Sequence, residues 1–139
     1  MKTNQQIAQA FANGATSGKS GNMFIDGDTI YSYGYHFPIA TRLRDGLYLF
    51  NNIGYSNTTA KHKNHVSAAI SGKKIITRHD HDGSNWGRTS LKIDTAYLEE
   101  LKAEALSKFD KARTLWSKDK WLSDSLEYSK MIELAKKYL

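Results

Sequence analysis

The sequence predicts an α+β fold: a small antiparallel sheet of four to six strands with an N-terminal helix, a middle helix and two C-terminal helices. Three observations carry that expectation. Apolar residues follow helical spacing near the N-terminus, switch to a period of two between Asn22 and Asn52, and return to helical spacing after Tyr55. Two Asp-Gly pairs, Asp26-Gly27 and Asp45-Gly46, stand between runs rich in β-branched and aromatic residues, as hairpin turns do. The last third repeats apolar residues at three- and four-residue steps. No internal repeat and no Pro- or Gly-rich linker divides the 139 residues after position 21. One domain over 1–139 is therefore expected, with helix and loop over 1–21, a sheet with the middle helix over 22–93, and a helical part over 94–139.

Each element has a local reason. Thr3 and Gln6 have capping-box spacing ahead of Ile7, Ala10 and Phe11, which starts the first helix. The stretch NGATSGKSG strings glycines and small polar residues together and reads as a loop. Four short antiparallel strands follow from the two hairpin signals. Pro38 cannot donate to a ladder, so its strand is expected at an edge or with a bulge. The middle helix offers Ala60, Val66, Ala69 and Ile70 for burial, Asn57, Thr58 or Thr59 as its cap, and Gly72 as its stop. KKIITRH reads as a strand with NWGRTSLKI as its hairpin partner. Asp94 or Thr95 caps a helix expected to run to Trp116, with Leu98, Leu101, Ala105, Leu106, Phe109 and Ala112 as its stripe. A final helix from Asp119 turns Leu126, Met131, Ile132, Ala135 and Leu139 toward a core.

Composition bounds the chemistry. The chain has no cysteine, which excludes disulfides, thiol nucleophiles and thiolate zinc sites. It has no apolar h-region at its start and nothing approaching the roughly 18 uninterrupted apolar residues of a membrane span. Neither secretion nor membrane insertion is expected. The net charge of +6 is uneven: residues 1–98 hold 11 Lys and Arg against 6 acidic residues, and residues 99–139 hold 9 against 8. The basic part runs from Lys61 to Lys92, where Lys61, Lys63, Lys73, Lys74, Arg78, Arg88 and Lys92 face only Asp80 and Asp82. Such a surface suits nucleic acid or an acidic protein.

The segment YSNTTAKHK concentrates that expectation. A helix N-terminus carries about half a positive charge and favours acidic side chains in its first turn. Here the turn holds Lys61, His62 and Lys63, preceded by Ser56, Asn57, Thr58 and Thr59, with no acidic residue between Asn51 and Lys74. Those groups suit a phosphate or carboxylate, and Lys73, Lys74, Arg78 and Arg88 extend the surface along a phosphate backbone. The competing account is an ordinary cap with lysines in water. A second chemistry is writable around ITRHDHDGS. In an extended chain His79 and His81 share a face, and His62 and His65 on the preceding helix could complete a metal site with Asp80 or Asp82. The plainer account of Asp82-Gly83-Ser84-Asn85 is turn chemistry. Tyr31, Tyr33 and Tyr35 would share one face if their strand continues through Gly34, and could stack bases there. Walker, G-x-G-x-x-G, G-x-S-x-G and H-E-x-x-H patterns are absent, and no cofactor is expected.

Two stretches resemble a group of small proteins of unknown function encoded by bacteriophages and other mobile elements. The matching positions are Gly21, Asn22, Gly27, Tyr31, Ser32, Tyr33, Ile39 and Ala40, then Tyr55, Ser56, Thr58, Thr59, Lys61 and His62. The resemblance covers roughly residues 17–70. It implies a setting in the cytoplasm of a host cell, where such proteins bind host macromolecules, including defence nucleases. The expectation is a non-enzymatic accessory protein that binds nucleic acid or a host nucleic-acid-handling protein, including inhibition of a host defence system in the manner of an anti-CRISPR protein. The alternative is a metal-dependent phosphodiesterase or nuclease built on His62, His65, His79 and His81.

Overall fold

The computed structural model describes residues 3–35, 37–44, 46–53, 57–70, 73–78 and 91–138, with Asn57 and Lys73 by backbone alone. The chain divides into two compact units, residues 1–92 and 93–139.

The first unit begins with α1 (Asn4–Ala12), whose start is the expected capping box. Thr3 Oγ1 accepts from Gln6 N–H at 3.1 Å, and Gln6 Oε1 accepts from Thr3 N–H at 2.9 Å. Six strands follow: β1 (Ser17–Ser20), β2 (Met23–Asp26), β3 (Thr29–Ser32), β4 (Pro38–Arg44), β5 (Leu47–Asn51) and, after α2 (Asn57–Ala69), β6 (Lys73–Thr77). They form one sheet in sequence order, antiparallel throughout except between β5 and β6. The α+β architecture matches the expected one in its helices and its strand count.

Three details differ from the sequence reading. The stretch expected as loop contains β1, because Ser17–Ser20 pairs with β2 in the register Ser17↔Asp26 to Ser20↔Met23. A two-residue turn over Gly21-Asn22 closes that hairpin, and Gly21 supplies its positive φ of 53°. Second, β6 is parallel to β5, with Leu47 opposite Lys73 and Asn51 opposite Thr77. The helix between them makes this a β-α-β unit, the connection that parallel strands require. Third, the C-terminal helices break earlier than expected, as described below. Pro38 opens β4 inside the sheet beside a bulge: Ile30 faces Ala40 and Tyr31 faces Pro38, leaving Ile39 as the extra residue. The expected partner strand of β6 falls mostly outside the described residues, and Leu91–Ile93 are not in a strand.

One face of the sheet is covered by α1 and α2. Ile7, Ala8 and Phe11 of α1 and Val66 of α2 pack with Met23, Ile25, Ile30, Ile39, Ala40 and Tyr48. On α2 the inward residues are Thr59, His62 and Val66, whereas Ala60, expected inside, is exposed. The opposite sheet face carries Phe24, Tyr31 and Tyr35 with ring centroids 5.0–5.1 Å apart, and buried Leu47, Leu49 and Ile75. Tyr33 does not join that aromatic face. β3 ends at Ser32, and Tyr33 turns to a φ of 69°, so the three tyrosines do not share one side.

The second unit is a helical pair, α3 (Thr95–Lys111) and α4 (Leu115–Tyr138). Asp94 caps α3 by accepting from Tyr97 N–H at 3.0 Å. The helix expected to reach Trp116 stops at Lys111, since Thr114 Oγ1 accepts from Ser117 N–H at 3.1 Å and starts α4 there. Leu98, Ala105, Ile132 and Ala135 are buried as expected, but Leu106 and Leu126 are exposed. Among the described residues no helix is long and apolar enough to cross a membrane.

Candidate functional site

The β5-α2-β6 unit carries basic residues without acidic ones. Lys61, Lys63, Lys73, Lys74 and Arg78 lie between Asn57 and Arg78, and no Asp or Glu does. The first turn of α2 has no acidic side chain. Lys61 and Lys63 are two positions apart on the helix and diverge, as that spacing requires. Lys61 is exposed. Lys63 folds back so that its Nζ donates to the Ile53 carbonyl at 3.1 Å and stands 5.7 Å from the Phe50 ring centroid. Lys74 reaches the same ring from β6, at 5.6 Å, with its Nζ donating to Ser67 O at 3.2 Å and Ser67 Oγ at 2.7 Å.

Two ammonium groups from neighbouring elements thus each stand by the Phe50 ring, at 5.7 and 5.6 Å from its centroid. Burial pushes both below the ordinary lysine range. The causes include no neighbouring carboxylate, and neither lysine forms an ion pair among the described residues. An ammonium has three N–H bonds, so Lys63 retains two donors and Lys74 one. A part-desolvated pair of cations with unused donors favours an anion, because an anion restores the charge compensation that burial removed.

A second arrangement lies on the other side of α2. Ser32 Oγ is 2.7 Å from His62 Nδ1 and 3.2 Å from Thr59 Oγ1, all three side chains being buried. Thr59 and His62 are one helical turn apart, which brings both over the end of β3. The Tyr33 ring stands 6.0 Å from the His62 ring on a left-handed backbone, a conformation that costs a non-glycine residue about 1–2 kcal/mol. Burial, and then the like charge of His65, hold the His62 pKa below the ordinary histidine range. The imidazole is neutral at physiological pH.

The predicted site residues are therefore divided. Lys63 and Lys74 both reach the Phe50 ring, Lys61, Thr58 and Arg78 are exposed, and Thr59 and His62 point into the sheet rather than toward a ligand at the helix start. Arg78 makes a further interaction within the chain. Ser56 and Arg88 lie outside the described residues, as do the side chains of Asn57 and Lys73. Of the four histidines assigned to metal, His62 has its Nδ1 on Ser32 and His65 lies close enough to affect it, while His79 and His81 with Asp80 and Asp82 fall outside the described residues. Among the described residues no three His, Asp or Glu side chains converge as a metal site. Sequence reasoning missed Phe50 as the surface under the cations and Ser32 as the partner of His62. Phe50 had a signal, its place on a strand bordering the basic helix. Ser32 had one too, as part of the Tyr-Ser-Tyr stretch.

Comparison of the chain with protein-family models, curated proteins and solved structures gives no match. The functional reading rests on the residues themselves.

Proposed function

We propose that the protein is a non-enzymatic binder of nucleic acid that grips the phosphate backbone with the basic β5-α2-β6 part of its first unit. The observation supporting this is that Lys63 and Lys74 both reach the Phe50 ring, partly buried and without a carboxylate. A charge argument points the same way. Residues 1–92 hold eleven Lys and Arg against five acidic residues, a net +6, and residues 93–139 hold nine against nine, a net of zero. The entire excess of positive charge sits on the unit that carries the lysine pair. Lys61 and Arg78 supply outer contacts to the same polyanion, and Phe50 gives the cations an apolar floor. The resemblance to mobile-element proteins suggests a setting in which the bound nucleic acid is part of a host's defence or replication apparatus.

The test is fluorescence anisotropy of a labelled oligonucleotide, single-stranded and duplex, across a salt series. Each phosphate neutralised adds about 0.9 to the log–log slope on duplex DNA and about 0.7 on a single strand. Lys63→Gln with Lys74→Gln is expected to reduce the slope by about 1.4–1.8 while leaving the far-UV circular dichroism unchanged. No binding at low salt, or a slope indifferent to both lysines, overturns the reading. Capture of a nucleic-acid-handling protein that survives nuclease treatment moves the function to an acidic protein surface, the defence-inhibitor alternative.

A further inference from the structure

Helix α4 carries exposed leucines along one flank. Its 24 residues, about 36 Å at 1.5 Å per residue, bury Ser125, Ile132 and Ala135 along one side. On another side Leu115, Asp119, Leu122, Leu126, Lys130 and Leu134 succeed one another at steps of three or four, so they form a continuous strip. Leu115 is 76% exposed, Leu126 54% and Leu122 40%, and Trp116 beside Leu115 is 75% exposed. Asp119 and Lys130 are exposed as well. Singly exposed leucines need no explanation, but three exposed leucines on one helix flank do.

The order of charges along the strip identifies the occupant. Asp119 stands three residues before Leu122, and Lys130 stands four residues after Leu126. We propose that two copies of the chain pair through this strip, antiparallel, about a two-fold axis between Leu122 and Leu126. In that register Leu122 meets the partner's Leu126, Asp119 meets the partner's Lys130, and Leu115 meets the partner's Leu134. Two-fold symmetry makes every contact twice, so the strip is complementary to itself from end to end. A parallel pairing would set Asp119 against its own copy and Lys130 against its own copy, and like charges opposite one another repel. The competing intrachain contact of Lys130 is with Glu127 at 3.5 Å on an exposed surface, which opposes exchange weakly. Residues 93–139 carry no net charge, so the paired units themselves add no net repulsion to that between the two basic first units.

Sedimentation velocity of the full chain over a concentration series tests the pairing, and the expected result is a concentration-dependent species of twice the chain mass. Asp119→Lys alone, or Lys130→Glu alone, places like charges together at two symmetric points and is expected to weaken dimerisation by about tenfold. The double variant Asp119→Lys, Lys130→Glu recreates both pairs with their signs exchanged and is expected to restore the dimer. A monomer at millimolar concentration overturns the proposal. So does a dimer unmoved by the single changes, a double variant no better than either single one, or an assembly that disappears on nuclease treatment. Because both positions are exposed, helicity by circular dichroism is expected to be unchanged in every variant.

Discussion

A buried imidazole held by a buried hydroxyl makes the first unit sensitive to acid. In the folded chain burial and His65 hold His62 below its ordinary pKa, whereas in the unfolded chain it titrates near 6.5. The unfolded state therefore binds more protons as the pH falls below that value, and the stability contributed by neutral His62 is complete above it and lost as pH falls through the folded value. Urea midpoints measured from pH 7 to pH 5 are expected to fall in the natural chain and to fall less in His62→Gln, the difference between the two isolating this side chain from the surface carboxylates. Ser32→Ala is expected to cost about 1–3 kcal/mol at pH 7, because it removes the partner of Nδ1 and leaves that atom buried. Neither half of this pair was hidden in the sequence. Ser32 and His62 both stand in the two stretches that carry the mobile-element resemblance, but the hydrogen bond spans 30 residues and depends on where β3 ends and how α2 crosses it. Spacing rules see neighbours along a helix or strand, and this contact is between one of each.

Among the elements, α1 and β1 depend on contacts that local propensity does not encode. The Arg42 guanidinium on β4 donates to the Phe11 carbonyl at 2.8 Å and the Ala15 carbonyl at 3.0 Å, lies 4.8 Å from the Phe11 ring centroid and faces Asp28 at 3.5 Å. It thereby adds a second donor to the Phe11 carbonyl, which already accepts from Gly14 N–H at 3.1 Å, and a cation at this end also suits the helix dipole. Arg42→Met keeps much of the stem packing and is expected to cost about 2–3 kcal/mol in urea denaturation, with faster hydrogen exchange confined to α1 and the following turn. Gly18 in β1 has a φ of 149°, and a Cβ there would lie 2.7 Å from Ile7 Cδ1. Gly18→Ala is expected to destabilise by about 1–3 kcal/mol, and Ile7→Val, which deletes the clashing methyl, to recover part of that loss in the same chain. This is why SGKS read as loop and folds as strand: its glycine is needed for the close approach of α1, and its ladder is completed by β2. Where the signal was local, the reading held, as at the Thr3–Gln6 box, the Asp94 cap and the bulge beside Pro38. The parallel pairing of β6 was implicit in the helix that precedes it, yet strand patterns carry no direction.

At the scale of the whole chain, the partition of charge distinguishes a general electrostatic effect from a site. A unit with a net +6 is destabilised by its own field, so raising salt is expected to raise its melting temperature by screening. The charged contacts of the second unit, Lys108 with Glu104 at 2.9 Å and Lys120 with Asp124 at 3.4 Å, are exposed pairs whose attraction salt weakens slightly. Screening alone treats anions of equal ionic strength alike. A lysine pair with unused donors does not, because a phosphate that binds the folded state adds stability in proportion to the logarithm of its concentration once it exceeds the dissociation constant. Calorimetry in phosphate and in chloride at matched ionic strength is therefore expected to show a higher melting temperature in phosphate for the natural chain. The increment is expected to vanish in Lys63→Gln with Lys74→Gln and to persist in Lys61→Gln, since Lys61 points away from Phe50. Equal melting temperatures in the two salts would reduce the basic face to a screening charge, and an increment indifferent to Lys63 and Lys74 would place the anion elsewhere on the first unit.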